Sequence, residues 1–143
     1  MALFTYLGGC DCGTVSIEAG LRGDASHYCL RACDCSFCVK HGAAYLSDPQ
    51  GRLLIRANAQ DSLGRYRQGS GNAECLFCGK CGVLAALVCR IDGRWRGTLN
   101  SRMLDEMASF GEPVRVSPKC LSPEEKMERW KQMWFGDVEI DAG

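Results

Sequence analysis

Cys33-Asp34-Cys35-Ser36-Phe37-Cys38, a C-x-C-x-x-C run followed at once by Val39-Lys40-His41-Gly42, is the stretch on which the reading of this chain turns. Three thiols lie within six residues. They pair poorly with one another, because a disulfide wants Cα atoms about 4.4–6.8 Å apart and Cβ vectors that face each other. A metal ion suits them better, since all three can turn to one point from a single tight loop. Structural zinc takes four protein ligands, whereas catalytic zinc keeps one position open. Either a fourth ligand arrives from elsewhere and closes the site, or the site stays open.

Outward from this run, two further thiol pairs stand in glycine-flanked knuckles. Gly8-Gly9-Cys10-Asp11-Cys12-Gly13 precedes it, and Phe77-Cys78-Gly79-Lys80-Cys81-Gly82 follows it. One two-thiol knuckle leaves a zinc half-liganded; two complete a closed four-thiolate site. The seven thiols divide most economically into Cys10, Cys12, Cys78 and Cys81 around one ion, with Cys33, Cys35 and Cys38 around a second. The competing division draws Cys78 or Cys81 to the triple cluster and leaves a C-x-C idle. Counting thiols does not separate zinc from an iron–sulfur cluster, but the C-x-x-C-Gly knuckle favours zinc. Cys29, Cys75, Cys89 and Cys120 are expected as core filler, free cysteine being among the most buried residue types. Of these, Cys75 is the one placed to exchange with a ligand.

Composition sets the frame for these clusters. The 143 residues fit one domain, and 46% hydrophobic residues suffice for a core. Basic and acidic residues balance at 17 each, so no net field draws the chain to nucleic acid or to a membrane. Eleven cysteines, an odd number, cannot all be paired, and their spacing is not that of a secreted disulfide framework. Met1 to Tyr6 has neither a basic n-region nor a long apolar h-region, and no apolar run approaches the roughly 20 residues that cross a bilayer. A reducing cytoplasm, where thiolates stay available to metal, is the expected location.

The periodicity of most of the chain is that of short strands. Thr14 to Ala19 alternates strictly. Strands are also expected at His27–Ala32, Gly42–Leu46 and Arg52–Arg56, the last two joined by the turn Asp48-Pro49-Gln50-Gly51. Gly64–Arg67 and Asn72–Phe77 read as strands around the loop Gly69-Ser70-Gly71, and Val83–Cys89, Trp95–Leu99 and Val114–Val116 complete a mainly β body. One helix stands out. Ser122-Pro123-Glu124-Glu125 is a capping box with Pro at its first helical position, and Met127, Trp130, Met133 and Trp134 then fall on one side. That stripe is expected to pack on the β body. The acidic tail from Gly136 to Gly143 is expected to be loose.

Taken together, GGCDCG at 8–13, CDCSFC with Lys40-His41-Gly42-Ala43-Ala44, and FCGKCG at 77–82 resemble the glutathione-dependent formaldehyde-activating enzyme family, which includes the centromere-protein-V-like proteins. The resemblance continues through Ser62-Leu63-Gly64-Arg65-Tyr66 and Leu99-Asn100-Ser101-Arg102-Met103-Leu104-Asp105. It spans residues 5–118, leaving 119–143 as a C-terminal helix and tail packed on the same domain. It implies an Mss4-like β-tent of short antiparallel strands with zinc knuckles and the C-terminal α-helix. It also implies two zinc ions: a structural one on Cys10, Cys12, Cys78 and Cys81, and a second on Cys33, Cys35 and Cys38, where a glutathione thiol is handled. Val39 departs from the family at a position where a basic residue often precedes the lysine, which makes the mouth of the site less cationic.

The chemistry expected on this basis is that of a carbon–sulfur lyase, with glutathione as co-substrate. Zinc lowers a coordinated thiol's pKa, so an open ion would hold a thiolate that adds to a small aldehyde. Three thiolates already leave the site net negative, which favours sulfur chemistry over activation of water. His41, three residues past Cys38, is the candidate acid–base group, and Lys40, Arg65 and Arg67 are the candidate contacts for glutathione carboxylates. Asp11 and Asp34 are expected to organise their turns. The alternative from a different class is a zinc-stabilised binding module without turnover.

Overall fold

The computed structural model describes residues 3–67, 71–117 and 120–142. In chain order its strands are β1 (Phe4–Gly9), β2 (Val15–Leu21), β3 (Arg31–Cys33), β4 (Tyr45–Leu46), β5 (Arg52–Ala57), β6 (Leu63–Arg67), β7 (Glu74–Cys78), β8 (Leu84–Ile91), β9 (Arg94–Asn100), β10 (Val114–Val116) and β11 (Asp137–Asp141). Its α-helices are α1 (Ser36–His41) and α2 (Pro123–Met133). The strands form a four-stranded sheet ordered β1-β2-β5-β11 and a seven-stranded sheet ordered β10-β3-β4-β9-β8-β7-β6. Among the described residues, no helix is long and apolar enough to cross a membrane.

Alternation in β2 is what seats one sheet on the other. Val15, Ile17, Ala19 and Leu21 are buried while Ser16 and Glu18 face out. Antiparallel pairing sets Ala57, Ile55 and Leu53 of β5 directly opposite the first three, on the same face. Leu46, Ala86, Val88 and Leu99 of the larger sheet meet them in one continuous core. Each fully buried Leu, Ile or Val there contributes about 1.5–3 kcal/mol of transfer free energy.

The other face of the larger sheet carries both helices. Tyr45, Cys75, Leu87 and Cys89 lie on it, because their strand neighbours Leu46, Leu76, Ala86 and Val88 point into the core. Cys38 of α1 packs with Tyr45 and Cys75 at one end. Trp134, which ends α2, packs with Cys89 and Ile91 at the other, and Met127, Trp130 and Met133 lie against them as the sequence stripe requires. Leu87 touches both clusters and lies between them. The layers therefore run four-stranded sheet, seven-stranded sheet, helices.

Several expectations need correction. The acidic tail is not loose: Asp137 to Asp141 forms β11, pairing in parallel with β5 from Asp137 opposite Arg52 to Asp141 opposite Arg56. Val138 and Ile140 pack against the core, and that alternation, hidden among acids, is what orders the segment. A second parallel pair, β3 with β10, joins an otherwise antiparallel frame. The central cysteine run is not all loop, since Ser36 to His41 makes the short helix α1. The strand expected at His27–Ala32 is instead a 3-10 turn over Ala25–His27 followed by β3. β1, unread in the sequence, pairs along its whole length with β2. Gly69 and Ser70 of the expected loop, and the boundary at 118/119, lie outside the described residues.

Candidate metal centres

The two outer knuckles meet at one end of the sheet interface. β1 runs into Cys10 and β7 ends at Cys78, and both thiols are buried. The register slips between Leu76 and Phe77, a bulge that re-aims the strand just ahead of its knuckle. The two turns are built alike. Cys10 N–H donates to Val15 O at 2.9 Å, and Cys78 N–H donates to Val83 O at 3.0 Å. Gly13 and Gly82 close them with φ of 81° and 83°, a conformation that a β-carbon makes costly. The sulfurs of Cys10, Cys12, Cys78 and Cys81 all lie within 4.8 Å of one another.

Backbone amides already point at these sulfurs. Val15 N–H donates to Cys10 Sγ at 3.2 Å, and Lys80 and Cys81 N–H donate to Cys78 Sγ at 3.3 and 3.4 Å. Such donors favour thiolates. The Thr14 hydroxyl and amide hold Cys12 down to about 6, and the Val83 amide lowers Cys81. Burial pushes Cys10 the other way. Four mutually close sulfurs, several of them accepting from backbone amides, fit a tetrahedral thiolate site for zinc.

The central run makes the second cluster. β3 delivers Cys33, Cys35 caps α1 with its sulfur accepting from Cys38 N–H at 3.4 Å, and Cys38 follows within the helix. Their three sulfurs again lie within 4.8 Å of one another. Cys33 is drawn down to about 6, first by its hydrogen bond with Cys38 and against its own burial. The same bond, with burial, pushes Cys38 up. One carboxylate oxygen of Asp34 is buried without a hydrogen-bond partner. An unpaired carboxylate oxygen beside three thiols is a feature that a bound cation offsets.

The structure disposes the other expected residues differently. His41 is exposed in the last turn of α1, its ring 4.6 Å from that of Phe37. Phe37 in turn stacks on Tyr66 at 5.5 Å. Lys40 is exposed on the same turn. Arg65 and Arg67 on β6 both pair with Glu74, at 2.6 and 2.9 Å. Asp11 is exposed in its knuckle. Cys75 and Cys89 are buried as expected, whereas Cys29 and Cys120 are exposed and fill no core. Cys75 packs beside the triple cluster, and burial with the nearby Cys35 pushes its thiol up to about 11.

One residue at this cluster was missed. The Tyr45 hydroxyl lies 3.1 Å from Cys38 Sγ, and burial pushes the phenol well above its usual range. Nothing in the local sequence marks it. Tyr45 reaches the cluster because it stands opposite Arg31 across β3 and β4, a register no spacing rule reports.

Fold and site together define a two-sheet β protein built around two cysteine clusters suited to metal. Its structure is similar to the crystal structure of a Rhodobacter sphaeroides protein solved in a structural-genomics programme, with TM-score 0.58 and 30% sequence identity over 77% of this chain and 99% of that one. At that identity over nearly all of the other chain, the two belong to one family. No protein-family model matches the chain, and no curated protein does.

Proposed function

We propose that the protein is a zinc-dependent carbon–sulfur lyase-type enzyme that handles the adduct of glutathione, or a similar thiol, with a small aldehyde, S-hydroxymethylglutathione being the model case. The observation that carries this reading is the inequality of the two clusters. One brings four thiols together and the other three, with Cys75 buried beside the three yet outside the group. Four thiolates close a zinc site and three leave a position for a ligand. The resemblance of the three cysteine motifs to the glutathione-dependent formaldehyde-activating enzymes supports the same assignment.

Zinc held by Cys33, Cys35 and Cys38 would supply a Lewis acid that keeps the ligand's sulfur unprotonated at neutral pH. The chain's own groups do the rest. In cleavage, the carbinol hydroxyl loses its proton and its oxygen forms the carbonyl. The C–S bond breaks and sulfur keeps the electron pair; addition is the reverse. His41, one turn along α1 from Cys38, is the proposed proton acceptor. Tyr45 holds Cys38 in place through its hydroxyl. Phe37, packed against the cluster, stacks on the exposed ring of Tyr66.

A second reading, a zinc-stabilised binding module, draws on a different feature. The outer face of the four-stranded sheet is dished between Leu7, Ser16, Glu18, Leu54 and Arg56, on the side of the molecule away from the triple cluster. Exchange of formaldehyde between free and glutathione-bound forms, followed by NMR line shapes, separates the two. Acceleration by the zinc-loaded protein that Cys35→Ala abolishes is the expected result. No acceleration over buffer would remove the enzyme reading and leave the binding module.

A further inference from the structure

The face of the larger sheet that bears the triple cluster also bears an arginine without an acid. Arg31 stands on β3 two residues before Cys33, so both side chains rise from one face, roughly 7 Å apart along the strand. It is the cross-strand partner of Tyr45, whose hydroxyl touches Cys38. Its guanidinium donates to Ser47 Oγ and, at 3.3 Å, to Thr98 Oγ1, and lies 3.7 Å from the Met133 sulfur. All three partners are neutral. Among the described residues no carboxylate pairs with it. The charged side chain that bears on it most is another cation, Arg129 of α2.

A half-buried guanidinium without a counter-ion is an unfavourable arrangement for the folded chain alone. Its planar fork is matched to a carboxylate, as Arg65 and Arg67 demonstrate by sharing Glu74. Arg31 has no such partner, and it lies against the last turn of α2 on the face of the sheet that carries the triple cluster.

We propose that Arg31 is the receptor for a carboxylate on the molecule whose sulfur docks at Cys33, Cys35 and Cys38, an inference that rests on the thiol-handling reading above. Ser47 and Thr98 draw the guanidinium toward the start of β3, away from Cys33. Several bonds must therefore separate sulfur from carboxylate, and the ligand class is a thiol with a distal acid. Short mercapto acids do not span the gap.

The test is a titration of the cobalt-substituted full chain with 6-mercaptohexanoate and with 6-mercaptohexanol, which differ only in the distal group. Visible spectra report sulfur binding and calorimetry reports affinity. The acid is expected to bind about tenfold tighter than the alcohol, as one charge-assisted bidentate contact provides. Arg31→Met should erase the advantage without changing affinity for the alcohol, and Arg31→Lys should keep only part of it. If Arg31→Met does not fold, Arg31→Lys and Ser47→Ala carry the comparison. Equal affinity of the native protein for acid and alcohol overturns the proposal. Spectral silence with both thiols overturns the thiol-handling reading instead. Calorimetry with hexanoate and with inorganic phosphate then decides Arg31 separately: heat that Arg31→Met abolishes supports an anion receptor, and no heat with either overturns it.

Discussion

Asp48 shows how far single side chains set the frame of this molecule. It is buried, accepting from the Arg22 and Gln50 amides, both at 2.9 Å, and from the Tyr28 hydroxyl at 2.6 Å. Burial alone would raise its pKa; the Arg22 amide, the Tyr28 hydroxyl and the Gln50 amide outweigh it and bring the carboxyl below its usual value. A carboxyl depressed by folding adds stability above its unfolded pKa and loses it as pH falls through the folded one. Native protein should therefore lose stability on acidification below about pH 4. Asp48→Ala should lower stability near neutrality by about 1–3 kcal/mol, because buried donors lose their acceptor, and should flatten the acid limb of the Tm–pH profile. An unaltered acid limb in the variant would show that other carboxyls carry it. At this scale the sequence displayed the seven clustered thiols, since their spacing is local. It concealed Tyr45 and Arg31, whose roles depend on register across β3 and β4.

Among the elements, the capping box of α2 was legible to the residue. Ser122 Oγ accepts from Glu125 N–H at 3.1 Å, and Glu125 Oε1 accepts from Ser122 N–H at 2.8 Å. Ser122→Ala should lower stability by about 1 kcal/mol, read as a drop in Tm with the metal content intact. α1 was not legible: six residues are too few for a period, and its cap is a cysteine that spacing assigns to metal. β11 was masked by its acids. The two knuckles differ from α1 in what they tie together. Cys12 and Cys81 lie on segments brought together only by the tertiary fold, so their shared ion should contribute directly to folding. Cys12→Ala and Cys81→Ala should unfold or aggregate the chain. Cys35→Ala should remove one metal and keep a cooperative melt. Equal losses in all three would show that the clusters are divided wrongly.

For the whole molecule, the mainly β class and the C-terminal helix followed from short alternating runs and one capping signal. The layering did not, because which face of a strand is inward depends on partners distant in sequence. That layering sets both helices on one face of the larger sheet, with the triple cluster at one end and α2 at the other. Protein purified under reducing conditions should carry two zinc ions per chain. Elemental analysis giving one ion, with the triple cluster reduced and unliganded, would remove the catalytic half of the account. Iron with visible absorbance would remove zinc from both clusters.

The central claim is that the triple cluster presents a metal with a position open to an external thiol. Cobalt substitution tests it most directly, because its charge-transfer and d–d bands report the number of thiolates in a tetrahedral field. With millimolar glutathione, the bands of the native protein should shift toward those of a four-thiolate site, and Cys38→Ser should weaken the response. A cobalt spectrum unchanged by glutathione would contradict the claim.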